Sequence, residues 1–201
     1  MGVTNPPRIR AVARREQSAR PPAHRTTWNH DRSAGVRRAY LSLGSNLEPV
    51  LHLRRAVQEL QERFGDMVLS PVYRTRAVGF EGSDFLNAAA VIETQLDPVA
   101  LHDWLHALED THQRDRSGPR FGDRTLDIDI VLFDDCVLSG PGNLRIPRPD
   151  LQHAFVLRPL ADIAPDVVVP GDGRTLAQLW DIHPERDMAL PTVSLDDAVG
   201  I

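Results

Sequence analysis

The 201 residues are 41% hydrophobic and 25% charged, enough apolar material for one folded domain with something appended to it. No apolar run approaches the length of a membrane span, and the single cysteine, Cys136, excludes an internal disulfide and a Cys-based zinc site. All 23 basic residues are arginine, which excludes any chemistry that needs a P-loop, Schiff-base or kinase-strand lysine. The net charge of −5 hides a split: nine Arg against Glu16 and Asp31 make residues 1–38 net +7, and 14 Arg against 26 acids make the remainder net −12.

Residues 1–38 are rich in Pro, Arg, Ser and Ala and lack apolar periodicity, so they read as a disordered arm. A solvated tail without a role, a nucleic-acid-binding arm and a targeting peptide all fit its composition. The body begins at Ala39. Residues 39–43 read as a strand that ends at Gly44-Ser45-Asn46, a turn and helix N-cap, where an anion could also bind. Leu47, Leu51, Leu53, Val57, Leu60 and Phe64 then repeat at a helical period up to Gly65. Residues 67–75 read as a strand, residues 76–83 as a loop, and residues 85–94 as a second strand antiparallel to the first. Asp97-Pro98 is an N-cap and first-turn pair, and the helix it opens puts Leu101, Trp104, Leu105 and Leu108 on one face, with His102 and His106 on the solvated side. An Arg- and Gly-rich loop, 114–124, leads into the strand 125–133. The order βαββαβ is the split βαβ, or ferredoxin-like, α+β arrangement. Residues 134–183 add a small C-terminal extension with a strand or two and a short helix near Phe155 to Leu160, and residues 184–201 read as a loose tail.

Asp127-x-Asp129 stands in an otherwise apolar strand, so alternation puts both carboxylates on one face and Ile128, Ile130 and Leu132 on the other. Adjacent like charges are unfavourable unless a cation binds or water solvates them. Hard oxygen ligands at this spacing suit Mg²⁺ bridging to phosphates; a solvated edge strand is the alternative. Arg114, Arg116, Arg120 and Arg124 precede the pair within eleven residues, and guanidinium forks bind phosphate oxygens bidentately. Together the acids and the arginines make the two halves of a phosphoryl-transfer site, although pairing with Asp115 and Asp123 in a solvated loop would also account for the arginines. The loop before Phe85, with Asn87 beyond it, offers an aromatic and an amide to a flat heterocycle, and equally to the core. Cys136 has no sequence partner and reads as structural.

Four segments in order carry a resemblance: residues 40–47 (YLSLGSNL), 70–75 (SPVYRT), 84–89 (DFLNAA) and 124–130 (RTLDIDI), with a looser fifth over 147–160. Through them residues 39–183 resemble the 6-hydroxymethyl-7,8-dihydropterin pyrophosphokinase family. The resemblance implies that ATP donates pyrophosphate to the pterin's hydroxymethyl oxygen and releases AMP, in folate biosynthesis. It implies two Mg²⁺ ions on Asp127 and Asp129, with Asp129 also a candidate acceptor for the hydroxyl proton. It implies nucleotide contacts at Arg114, Arg116, Arg120, Phe121, Arg124, Ile130 and Arg148. It implies a pterin site from Thr75, Val78, Phe85, Asn87 and Phe155, the two phenylalanines sandwiching the ring. A monomer in the cytoplasm, acting on small molecules and on neither nucleic acid nor membrane, is the corresponding expectation. The chain departs from the family pattern at Phe121-Gly122-Asp123, at Arg148 within Pro147-Arg148-Pro149, and at His153. Those departures keep open a homologue that binds pterin or nucleotide with weakened catalysis, and the basic arm keeps open a nucleic-acid-binding module of the same topology.

Overall fold

The computed structural model describes residues 35–77, 82–112 and 123–195. Strand β1 (Arg37–Ser45) is central because it pairs antiparallel on both sides, with β4 (Phe85–Thr94) from Arg37↔Thr94 to Ser45↔Leu86, and with β5 (Asp127–Phe133) from Ala39↔Phe133 to Gly44↔Asp127. Beyond β4 lie β2 (Val68–Leu69), β3 (Val72–Thr75) and the edge strand β8 (Thr192–Val193). The order β5-β1-β4-β3-β8, with α1 (Pro49–Phe64) and α2 (Pro98–Thr111) on one face, is the ferredoxin-like α+β fold expected. Residues 134–183 supply the hairpin β6 (Leu138–Ser139) and β7 (Arg145–Ile146), a 3-10 turn (Pro149–Gln152), α3 (Ala154–Ile163) and α4 (Leu176–Asp181).

Two cores follow from the alternation of side chains across the sheet. Ala39, Leu41, Leu43, Ala88, Ala90, Ile92, Ile128 and Ile130 meet Leu53, Ala56 and Leu60 of α1 and Leu101 and Leu105 of α2. On the opposite face Tyr40, Ala89 and Leu132 meet Val156, Leu157 and Leu160 of α3 and Leu176 and Trp180 of α4. Cys136 is buried in the first core, and burial, with Asp135 nearby, pushes its thiol up to about 11. It is expected to resist a thiol-specific colorimetric reagent in the native protein and to react stoichiometrically in guanidinium, since only the thiolate attacks; rapid native labelling would contradict its burial.

Several expectations change. Leu132 does not share a face with Ile128 and Ile130. A bulge at Val131, which shifts the register from Leu41↔Ile130 to Tyr40↔Leu132, inverts the phase of the strand. Gly44 and Ser45 are not a cap: the strand runs through Ser45, and α1 starts at Pro49 after Glu48, whose φ of 43° lies in the left-handed region. Leu47 therefore stands outside the helix and is exposed. The strand expected over 67–75 breaks at Ser70-Pro71, where proline has no N–H for the ladder. His102 is buried rather than solvated, its ring centroid 3.9 Å from that of His106. The sheet begins at Arg37, two residues before Ala39. The tail is not loose over its described part: Val193 and Thr192 pair with Val72 and Tyr73, and Arg74 N–H donates to the Pro191 carbonyl at 2.8 Å.

Candidate active site

The candidate side chains carried by the sheet lie at one end of one face. Cross-strand register places Asp127 opposite Gly44, Gly44 opposite Asn87, and Asn87 opposite Tyr73; Asp129 lies opposite Ser42. These positions share the face covered further along by α3. Gly44 thus separates the first acid from the amide, and Asp127 and Asn87 stand two strand spacings apart, roughly 10 Å. Gly44 also sits where a Cβ would lie 3.1 Å from Asn87 Oδ1 and 3.9 Å from Phe85 Cδ1. The glycine keeps that floor low between metal-type ligands and amide.

Asn87 is buried, and its Nδ2 donates to Thr75 Oγ1 at 2.7 Å, which fixes its rotamer. Tyr73, on the same strand as Thr75, donates to Asp162 Oδ2 of α3 at 2.5 Å. Burial first, and that carboxylate second, raise its pKa and hold it neutral. Phe155 stands in the first turn of α3, where Pro159 removes the bond its carbonyl would otherwise accept. The ring of His153 stacks parallel on it, with centroids 5.1 Å apart and planes at 7°.

Both acids carry an arginine. Arg124 pairs with Asp127, and Arg148 Nη2 lies 2.8 Å from Asp129 Oδ2 while its Nε lies 2.9 Å from Asp150. All of Arg124, Asp127, Arg148 and Asp129 are only partly exposed, at 17–26% for their side chains. Arg148 is thereby placed at the acid pair itself. Arg124 is held by its main chain: its N–H donates to Asn46 Oδ1 at 2.6 Å, and its carbonyl accepts from the N–H groups of Asn46 and Leu47 at 3.0 and 3.1 Å. Asn46 Nδ2 donates to Asp123 Oδ1 at 2.7 Å and, at 3.4 Å, to the Ser83 carbonyl. Ser45 Oγ donates to the Thr125 carbonyl at 2.5 Å. Asp123, which brings a charge beside the arginines, thus has a defined partner.

Among the described residues no third His, Cys, Asp or Glu joins Asp127 and Asp129 in a metal-type group. Two hard carboxylates with nothing further suit a Mg²⁺ that draws its other ligands from water and substrate phosphates, and do not suit a closed structural site. Ile130 contributes its side chain to the core, so only its backbone is available to a ligand. Arg114, Arg116, Arg120, Phe121 and Val78 lie outside the described residues.

The family model for 7,8-dihydro-6-hydroxymethylpterin-pyrophosphokinase matches residues 40–165, which include every described site position. The chain belongs to this family. Its reaction is the transfer of pyrophosphate from ATP to hydroxymethyldihydropterin in folate synthesis. A 2-amino-4-hydroxy-6-hydroxymethyldihydropteridine pyrophosphokinase of Pseudomonas aeruginosa is 40% identical over 149 residues, 72% of this chain and 90% of that one. A protein of the same name from Synechocystis is 40% identical over 145 residues, covering 70% and 73%. Among solved structures, the wild-type HPPK-DHPS protein of Plasmodium falciparum with pteroate superposes with a TM-score of 0.61 at 15% identity, over 76% of this chain and 45% of that longer one, which supports the shared fold.

Two contributors to the candidate site were not legible as such. Asn46 read as a helix cap, yet it clamps the segment that carries Arg124. Glu109, fully buried on α2, accepts the N–H of Ile128 at 2.7 Å, between the two acids. Among the described residues β5 is the outer sheet edge and no strand satisfies that N–H, so a helix carboxylate does. The only signal for Glu109 was a charged residue at the helix position next to Leu108 and one turn after Leu105, on an otherwise apolar face.

Proposed function

We propose that the acid pair, its two arginines and the Asn87 pocket form one site in which the hydroxymethyl oxygen of 6-hydroxymethyl-7,8-dihydropterin attacks the β-phosphorus of ATP. The bond from that phosphorus to the α–β bridging oxygen breaks, AMP leaves, and the hydroxyl proton passes toward Asp129. Asp127 and Asp129 would hold two Mg²⁺ ions. Bound there, magnesium supplies charge neutralisation for the triphosphate and a lowered hydroxyl pKa. Arg124 and Arg148 already reach the two carboxylates, so a phosphate carried on those carboxylates meets both guanidiniums. Asn87, with Thr75 fixing it, reads the edge of the pterin ring, and Phe85 and Phe155 stack on its faces. Arg114, Arg116, Arg120 and Phe121 are the further nucleotide contacts in this reading, and Val78 a further pterin contact. The observation that carries it is the register Asp127↔Gly44↔Asn87, which sets a carboxylate and a buried amide roughly 10 Å apart on one face, a separation that suits a triphosphate at one and a pterin ring at the other.

A coupled AMP-release assay with ATP, Mg²⁺ and the hydroxymethyl pterin tests it. One AMP per pterin consumed is expected; ADP as product, or calorimetric binding without AMP, would overturn it. Gly44→Ala puts a methyl 3.1 Å from Asn87 Oδ1 and is expected to raise the KM for pterin roughly tenfold or more, with the KM for ATP little changed, since one methylene in a fitted pocket is worth about 1–3 kcal/mol. Steady-state kinetics in both substrates read the split. The protein would act as a monomer in the cytoplasm without nucleic-acid partners; the net −12 of residues 39–201 supports the last point, and among the described residues no helix is long and apolar enough to cross a membrane.

A further inference from the structure

Outside the site, one buried cluster of titratable groups has no part in the chemistry. His52 in the first turn of α1 and His112 at the end of α2 are both buried, and their Nδ1 atoms stand 2.9 Å apart. His112 Nε2 lies 3.1 Å from Glu59 Oε2. The Nδ1 separation is a hydrogen bond, and it needs one proton between the rings. A carboxylate only accepts, so His112 carries its hydrogen on Nε2. With both rings neutral, His52 donates from Nδ1 to His112. With one added proton, taken up at His52 Nε2, the pair carries a hydrogen on each Nε2 and a single one between the two Nδ1 atoms, so the bond between the rings and the one to Glu59 both survive. A second proton puts hydrogens on both Nδ1 atoms and breaks the bond.

The joint reaches the site through α2. The His112 N–H donates to the Glu109 carbonyl at 3.0 Å, and the Glu109 carboxylate holds Ile128 N–H between Asp127 and Asp129. We infer that His52, His112 and Glu59 are positioning residues for pyrophosphoryl transfer: a joint that tolerates one proton but not two, and that sets the last turn of α2 and, through Glu109, the height of the acid pair. This rests on reading Asp127 and Asp129 as the metal-holding pair. Among the described residues the charged groups facing the rings are Glu48, Arg55 and Glu59, from α1 and its cap, and each ring faces the other. Burial first, and His112 second, lower the pKa of His52, so the second proton enters below the ordinary histidine range. In that window the unfolded chain binds more protons, and stability falls as pH drops through it.

The test joins nitrogen NMR of the imidazoles in the metal-free full-length protein to pH profiles of kcat. The NMR is expected to show one shared Nδ1 proton across neutral pH and two separated titration steps. Two rings titrating independently near the ordinary value would overturn the inference. His112→Phe is expected to lower kcat roughly tenfold with both KM values little changed, on the scale of losing a group that orients a ligand. His52→Asn, which still offers a hydrogen-bonding group to His112, is expected to retain most of the rate and to lose the fall in kcat that the second proton brings on the acid limb. An unchanged kcat in a folded His112→Phe protein, or an unchanged acid limb in His52→Asn, refutes it. Normal turnover in an Asp127→Asn protein that keeps the shared-proton signal would instead refute the reading of the acids and leave the joint standing.

Discussion

Asp127→Ala and Asp129→Ala are each expected to lower AMP formation by roughly a thousandfold or more, equivalent to about 4 kcal/mol of transition-state stabilisation. The size follows from what each acid does alone. Among the described residues no third carboxylate or imidazole can substitute as a ligand, so removing one halves the protein's donor set. The removal also leaves Arg124, or Arg148 on its Asp129 side, with an unbalanced charge where the triphosphate must sit. The fold is not expected to suffer. Strand β5 is held by its register with β1 and by Ile128, Ile130 and Leu132, all buried, and each substitution removes only one partly exposed ion pair, worth little to stability. Melting within a few degrees of the parent, together with a rate at the assay floor, is the combined result. The isosteric Asp→Asn pair checks that charge and not shape is responsible. Turnover within tenfold of the parent in either alanine variant would sink the metal assignment.

The parts of this chain legible in its sequence are those where one periodicity rules. The strand 85–94 has the bounds expected because a short apolar run, an aromatic start and the Asp97-Pro98 cap all agree; Asp97 does accept the Ala100 N–H at 2.8 Å. The Asp127-x-Asp129 pair was legible because the strand's alternation puts both acids on one face. What the sequence concealed needs long-range partners. Val131 is no different in type from its neighbours, and only its pairing with β1 makes it a bulge and sends Leu132 to the second core. A two-residue β8 has no periodicity to detect and exists because β3 would otherwise be an open edge. Asn46 and Glu109 are polar residues whose partners lie 78 and 19 positions away. His52 and His112 are 60 apart and carry meaning only as a pair.

Asn46→Ala is expected to cost about 2–3 kcal/mol of stability and to lower kcat roughly a hundredfold. Asn46 is buried, and its amide spans two segments: Oδ1 takes the Arg124 N–H at 2.6 Å, and Nδ2 gives to Asp123 Oδ1 at 2.7 Å. Truncation orphans the first and unties the second, while the main-chain bonds from Asn46 and Leu47 to the Arg124 carbonyl survive. The segment stays docked but pivots, and Arg124, anchored there, loses its aim at Asp127. Loss through orientation should appear in kcat more than in either KM. Asn46→Asp separates the two halves. It keeps an oxygen for the Arg124 N–H but sets a carboxylate against Asp123, so its melting temperature should rise as pH falls and one acid takes up the shared proton. Adding Asp123→Asn restores an amide-to-carboxylate bond in the reversed sense. The double variant should then recover most of the stability and rate that Asn46→Asp loses. If it recovers neither, the Asn46 to Asp123 bond does not hold the segment and the clamp rests on the Arg124 N–H alone; if Asn46→Ala itself turns over normally, the clamp has no role in placing Arg124.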